Sequence, residues 1–236
     1  MIEIIGLDAD DTLWENEHLY HQAKNKFAQI LENYGDPEEL ITRLDKTEVR
    51  NIEFFGYGIK SFALSMIESA NFLSRDQLTG AEISEIITVA KGMLTAPVEL
   101  VEGAEETLEN LSTKYDLMLI TKGDSHEQEH KIERSGIADY FRYLEVVGEK
   151  SEASYRKILR QYNLDPGRFL MVGNSLRSDI LPVLRIGGQA VYIPNFQTWF
   201  HEHASAEDIG EVEYAELERL SQLPDYLAQR NDNLGL

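Results

Sequence analysis

Residues 2–13 read Ile-Glu-Ile-Ile-Gly-Leu-Asp-Ala-Asp-Asp-Thr-Leu, an apolar run that stops in three acids within four positions. Ile2, Ile4, Ile5 and Leu7 fit a short strand covered on both faces, as in the parallel sheet of an α/β protein. Asp8, Asp10 and Asp11 then crowd like charges together, and their repulsion calls for a compensating positive group. A hard divalent cation with oxygen ligands meets that need, and the carboxyl ends of parallel strands are where α/β proteins keep their sites. A plain acidic turn is the competing reading of this stretch taken alone.

Beyond Leu13 the pattern becomes helical and stays so to Leu94. Leu19, Ala23, Phe27, Ile30, Leu31 and Tyr34 make one face of a helix that Gly35 is expected to stop. Asp36-Pro37-Glu38-Glu39 supplies a cap, a proline at the first helical position and an acid three residues after the cap, ahead of Leu40, Ile41 and Leu44. Phe54-Phe55-Gly56-Tyr57-Gly58 reads as a loop, followed by the stripe Ile59, Phe62, Ala63, Met66, Ile67, Ala70 and Leu73. Thr79 to Glu82 has capping-box spacing before Ile83, Ile86, Ile87, Ala90 and Leu94. Residues 15–96 are therefore expected to form a helical domain inserted into a core of residues 1–14 and 97–236.

After Pro97 strand and helix alternate. Glu102-Gly103-Ala104 opens a helix, and Leu117–Ile120 is a strand candidate ending in Thr121-Lys122-Gly123-Asp124. Ser125 is read as the cap of a helix that Gly136 ends. Strands are then expected at Tyr143–Val147, Phe169–Val172 and Ala190–Ile193, with a helix over Glu152–Tyr162. Alternation of this kind means a doubly wound, Rossmann-like parallel sheet with crossover helices, its first strand central. Leu217, Leu220, Leu223 and Leu227 suggest helical turns on the core, interrupted at Pro224.

Composition narrows the function classes. A net charge of −20 without a basic cluster excludes a nucleic-acid binder and allows a small anionic substrate only where local cations reverse the field. The absence of cysteine excludes disulfides, thiolate catalysis and cysteine-based zinc sites. No run approaches the roughly 18 apolar residues of a membrane span, and residues 1–7 lack the basic flank of a signal peptide. A cytoplasmic protein with no membrane association is expected.

Polar groups stand at the ends of successive strand candidates: Asp8 with Asp10, Thr121 with Gly123, Lys150, and Asn174 with Asp179. Together they describe a phosphoryl-transfer site. Asp8 is suited to attack phosphorus, Asp10 to handle the leaving-group proton, Thr121 and nearby amides to hold phosphate oxygens, and Lys150 to neutralise developing charge.

In these stretches the chain resembles the haloacid dehalogenase superfamily of phosphohydrolases. Leu7-Asp8-Ala9-Asp10-Asp11-Thr12-Leu13 is similar to its first motif, Ile120-Thr121-Lys122-Gly123 to the second, Lys150 to the third and Gly173-Asn174-Ser175-Leu176-Arg177-Ser178-Asp179 to the fourth. The helical insertion resembles the family's cap over a small substrate. The resemblance implies Asp8 as nucleophile through an aspartyl-phosphate and Asp10 as general acid, then base. It implies Mg²⁺ held by the Asp8 carboxylate, the Asp10 backbone carbonyl and the fourth motif, here Asn174 and Asp179. Phosphate would be bound by Thr121, Lys122, Gly123 and Lys150. The acid at position 10 puts the chain on the phosphatase side, since the family's dehalogenases lack it. The implied activity is a magnesium-dependent phosphomonoesterase for a small phosphorylated metabolite, possible examples being a nucleotide or flavin monophosphate. A phosphotransferase or mutase with the same chemistry, and a non-catalytic binding or regulatory protein, are the alternatives.

One departure stands out: Asn174 occupies a position usually filled by a metal-binding aspartate. Its carbonyl still offers oxygen but one less negative charge, so weaker metal binding is expected. Other residues have two readings. Lys122 reads as a local cation or a surface lysine, and Arg177 as a partner of the metal acids or a solvated side chain. His126 and His130, four apart, sit on a face better read as solvated than as metal-binding. His201 and His203 are read as packing or exposed. Trp14, Glu15 and Asn16 lie where the resemblance puts a mobile flap, and Phe54, Phe55, Tyr57 and Lys60 where it puts substrate-facing groups.

Overall fold

The computed structural model describes residues 2–196, 198–202, 204–210 and 212–233. The chain folds as two compact units, one of Met1–Glu15, Val98–Lys122 and Glu129–Leu236, the other of Asn16–Pro97 and Gly123–Gln128.

The first unit is a six-stranded parallel sheet in the order β3-β2-β1-β4-β5-β6. Its strands are β1 (Ile4–Leu7), β2 (Asp116–Lys122), β3 (Tyr143–Val147), β4 (Phe169–Gly173), β5 (Gln189–Tyr192) and β6 (Ala215–Glu216). The opening strand is central, as expected, with Leu7 facing Leu119 on β2 and Val172 on β4. Successive residues alternate between two cores because side chains alternate across a strand. Ile5, Leu7, Leu117, Leu119, Leu170 and Val172 pack on one face with Leu108 and Leu111 of α5 (Ala104–Ser112) and Ile132 of α6 (Ser125–Ser135). Ile4, Met118, Ile120, Phe169 and Met171 pack on the other with Tyr155, Ile158 and Leu159 of α7 (Glu152–Gln161), and with Val183 of α8 (Leu181–Arg185).

Several boundaries depart from the sequence reading. β2 runs on through Thr121 and Lys122, whose pairing with Val146 and Val147 continues the ladder. Asp124 rather than Ser125 caps α6, its Oδ1 accepting from Glu127 N–H at 3.0 Å. The edge strand β6 is only two residues long, too short for a period to reveal. The tail carries α9 (Ala206–Ile209) and α10 (Leu223–Asn233). Pro224 does not interrupt α10, because it stands in the first turn, where a missing N–H costs nothing. Leu220, Leu223 and Leu227 are buried in the sheet core, so the leucine spacing of the tail reports real packing.

The second unit holds α1 (Glu17–Ile30), α2 (Pro37–Phe55), α3 (Ile59–Leu73) and α4 (Gly80–Thr95). Phe27, Leu31, Leu40, Leu44, Phe62, Met66, Ile86 and Ala90 form its core, the stripes expected from the spacing. Asp36 accepts from Glu38 N–H at 2.9 Å, and the Thr79–Glu82 capping box is formed. α1 ends at Ile30, ahead of Gly35. Phe54 and Phe55 belong to the last turn of α2 and are exposed, so the expected loop begins only at Gly56, whose φ of 70° breaks the helix. Contacts between Gly123–Gln128 and this unit include Ile59 N–H donating to Glu127 at 2.8 Å and Lys60 pairing with Asp124 at 2.8 Å. Among the described residues no helix is long and apolar enough to cross a membrane.

Candidate active site

The carboxyl ends of β1, β2 and β4 bring together residues that are far apart in the chain. Asp8 directly follows Leu7 and is buried, and its backbone N–H donates to Val172 O at 2.9 Å. Lys150 Nζ donates to Asp8 Oδ1 and, at 2.6 Å, to Asp179 Oδ1. Asp179 is fully buried, and its second oxygen accepts from Ser175 N–H at 3.0 Å. Gly173 makes room for that carboxylate: a Cβ there would overlap the Asp179 side chain. Two buried acids thus face one ammonium. Burial and the charge of Asp179 push the Asp8 carboxyl up to about 7, against the pull of Lys150. Burial alone would lower the Lys150 ammonium, but Asp179 and Asp8 outweigh it and hold it above its ordinary value.

Asn174 and Thr12 complete this centre. Thr12 Oγ1 lies 3.4 Å from Asp8 Oδ2 and 3.3 Å from Asn174 Oδ1. Both distances are long for a hydroxyl, and its single proton satisfies one oxygen at a time. Asp8 Oδ2 and Asn174 Oδ1 are therefore two under-satisfied oxygens converging beside a site short of positive charge. That donor set suits a hard, hydrated divalent cation such as magnesium. Among the described residues no three His, Cys, Asp or Glu side chains converge as a metal cluster, so an ion here would depend on the amide and on backbone oxygen as well.

Thr121 lies on β2 two residues beyond Leu119, the partner of Leu7. Its hydroxyl is buried and has no hydrogen-bond partner among the described residues. A buried hydroxyl of this kind costs about 1–3 kcal/mol unless a ligand satisfies it. Asp10 is held by Trp14 Nε1 at 2.6 Å and by Lys131 Nζ at 2.8 Å, both reaching its Oδ1.

Lys122 is neither solvated nor free. Its ammonium pairs with Glu202 and donates to Ser178 Oγ at 3.1 Å. Burial opposes ionisation of Glu202, but Lys122 and the hydroxyls of Ser178 and Ser175 outweigh it and bring its carboxyl down to about 2. Gly123 follows on the chain with φ 148° and belongs to the second unit. Arg177 donates to the His201 carbonyl at 3.0 Å, and among the described residues it makes no hydrogen bond to Asp8 or Asp179. His126 and His130 are exposed, in keeping with a solvated face. His203 lies outside the described residues.

Sequence reasoning did not find Lys131, Glu202 or Thr198 as neighbours of these groups. Lys131 is one charge among several on α6, and no period or motif singles out Glu202 in the segment after Ile193. Only the tertiary fold aims them inward. Thr12 stood inside the opening motif, and its spacing of four from Asp8 was the available signal.

A family model, "Hydrolase: haloacid dehalogenase-like hydrolase", matches residues 2–187. The chain belongs to the haloacid dehalogenase-like hydrolases. Within that family, a human N-acylneuraminate-9-phosphatase is 32% identical over 200 residues, covering 80% of this chain and 81% of the relative. A glyceraldehyde 3-phosphate phosphatase of Pyrococcus furiosus is 26% identical, covering 98% and 95% of the two chains. The crystal structure of a haloacid dehalogenase-like family hydrolase from Xanthomonas campestris superposes with a TM-score of 0.86 at 37% identity, covering 99% of this chain and 94% of that one. The doubly wound sheet with its first strand central is thus the fold of a haloacid dehalogenase-like hydrolase.

Proposed function

We propose that this haloacid dehalogenase-like hydrolase is a magnesium-dependent phosphomonoesterase acting on a small phosphorylated metabolite. The observation that carries the reading is the buried hydroxyl of Thr121, without a partner among the described residues, at the strand ends that hold the Asp8–Lys150 pair. A phosphate oxygen supplies the acceptor that hydroxyl lacks.

In this reading the Asp8 carboxylate attacks phosphorus, forming an O–P bond as the bond to the ester oxygen breaks. Asp10 delivers a proton to the departing oxygen. The ionised Asp10 then takes a proton from water, whose oxygen attacks phosphorus, and inorganic phosphate leaves Asp8. Trp14 and Lys131 hold one oxygen of Asp10 and so orient the carboxyl for both transfers. Lys150 offsets charge on the transferring group, and Thr121, with the backbone entering Gly123, receives its oxygens. Asp179 has its two oxygens on Lys150 and Ser175 N–H, and therefore serves the site by fixing Lys150. The Asp8 carboxylate, the Asp10 carbonyl and the Asn174 amide oxygen would hold a magnesium ion, which when bound would supply Lewis-acid charge neutralisation. Lys122, already paired with Glu202, contributes position more than net charge.

The relatives above are an N-acylneuraminate-9-phosphatase and a glyceraldehyde 3-phosphate phosphatase, which supports a small phosphate ester as the substrate class. The test is turnover of an aryl phosphate with and without magnesium, followed by a panel of phosphorylated metabolites. Activity dependent on magnesium and abolished by Asp8→Asn is expected. Turnover that survives Asp8→Asn or full chelation overturns the reading.

A further inference from the structure

We propose that Thr198 is a positioning residue that holds the Asn174 amide with its carbonyl oxygen toward Asp8, so that a neutral side chain serves where an acid would otherwise bind the cation. The proposal rests on the reading of Asp8 and Asn174 as metal ligands. An aspartate presents oxygen whichever way its carboxylate turns. An asparagine has one acceptor end and one donor end of similar shape, so one end must be held.

The contacts around Asn174 divide along those lines. Nδ2 donates to Thr198 Oγ1 at 3.1 Å, while Oδ1 lies 3.3 Å from Thr12 Oγ1, the hydroxyl that also reaches Asp8. Without Thr198, the Nδ2 end loses that acceptor, and nothing then prevents the amide from turning to set Nδ2 beside Thr12 Oγ1 in place of Oδ1. Turned that way, the amide places N–H hydrogens where a cation needs oxygen.

Thr198 is itself anchored independently of Asn174. Its N–H donates to Asn195 O at 3.1 Å, and Asn195 Nδ2 reaches Asp11 O in the acidic loop at 3.4 Å. On its other side, Arg177 donates to His201 O at 3.0 Å, and Ser175 Oγ donates to Glu202 Oε2 at 2.7 Å. The segment after β5 is thus pinned to the turn that carries Asn174, and the Thr198 hydroxyl sits at a fixed place beside the amide.

The experiment is titration calorimetry of magnesium chloride into the full chain and its variants. Thr198→Val is expected to weaken magnesium binding about three- to tenfold, the worth of one hydrogen bond, and Thr198→Ser to stay within about twofold of the parent. Asn174→Asp is expected to bind more tightly, and adding Thr198→Val to it should change affinity by no more than about twofold, because a carboxylate has no wrong end. An unchanged affinity in Thr198→Val overturns the proposal. So does an equal loss on adding Thr198→Val to the parent and to the Asn174→Asp variant, which would mark a purely structural contact. Should Thr198→Val not fold by its thermal melt, Thr198→Ala carries the same expectations. A parent protein that binds no magnesium overturns both this proposal and the metal reading it rests on; a parent that binds, with an unresponsive Thr198→Val, overturns this proposal alone.

Discussion

Lys150 hydrogen-bonds Asp8 from 142 residues further along the chain, and both are buried. The same ammonium holds Asp179, so removing it leaves two buried acids without their shared counter-charge. Lys150→Met is expected to destabilise the fold by about 3–5 kcal/mol and abolish turnover. Adding Asp179→Asn should recover part of the stability and none of the activity, since one stranded charge disappears. Urea unfolding of the two variants checks this. Equal stability of Lys150→Met and the parent would show that the pair is not buried in solution.

Thr121 makes the opposite case. Because its hydroxyl has no partner among the described residues, Thr121→Val removes an unsatisfied group while keeping the shape. The variant should be as stable as the parent or more so by about 1 kcal/mol, yet lose on the order of a hundredfold in kcat/KM for an aryl phosphate. A loss of stability without loss of activity would contradict the assignment of Thr121 to the phosphate.

In the helical unit, Glu48 carries a pH dependence. Burial raises its carboxyl from 4.5 to about 7, Lys24 pulling it down less than burial pushes it up. A group raised on folding binds its proton more tightly in the folded chain. Its contribution is therefore complete below pH 4.5 and is lost as pH rises through about 7, by at most about 3 kcal/mol. Glu48→Gln should flatten that part of the stability profile and leave the acid limb unchanged. Parallel profiles for Glu48→Gln and the parent between those pH values would refute the assignment.

Asp11 sits at φ 60°, a left-handed conformation that glycine adopts without penalty. Asp11→Val is expected to be about 1–2 kcal/mol less stable than Asp11→Gly, the cost of placing a branched side chain in that conformation. Thermal melts of both variants give the answer. A marked loss with glycine would mean that the Asp11 side chain, not its backbone, holds the loop.

Strands β1 to β5, the four helices between Glu17 and Thr95 and the polar strand ends were legible in the chain, because each follows from local periodicity, capping and the rule that places sites at strand ends; the central place of the first strand belongs to the doubly wound architecture and not to any local pattern. Asp8, Thr121, Lys150 and Asn174 could be named for the same reason: each lies at or close beyond the end of an apolar run or strand candidate. The resemblance to the phosphohydrolase motifs then linked them before any distance was known.

What the tertiary structure alone decided is which charges meet. Lys122 read as a local cation or a surface lysine, and no pattern singled out Glu202, yet the two form a partly buried ion pair. Thr198 had no pattern around it, yet it is the residue on which the Asn174 amide rests. Local sequence encodes elements through the backbone's own preferences. It does not encode contacts between side chains that are distant in the chain, since their proximity depends on how every intervening element packs.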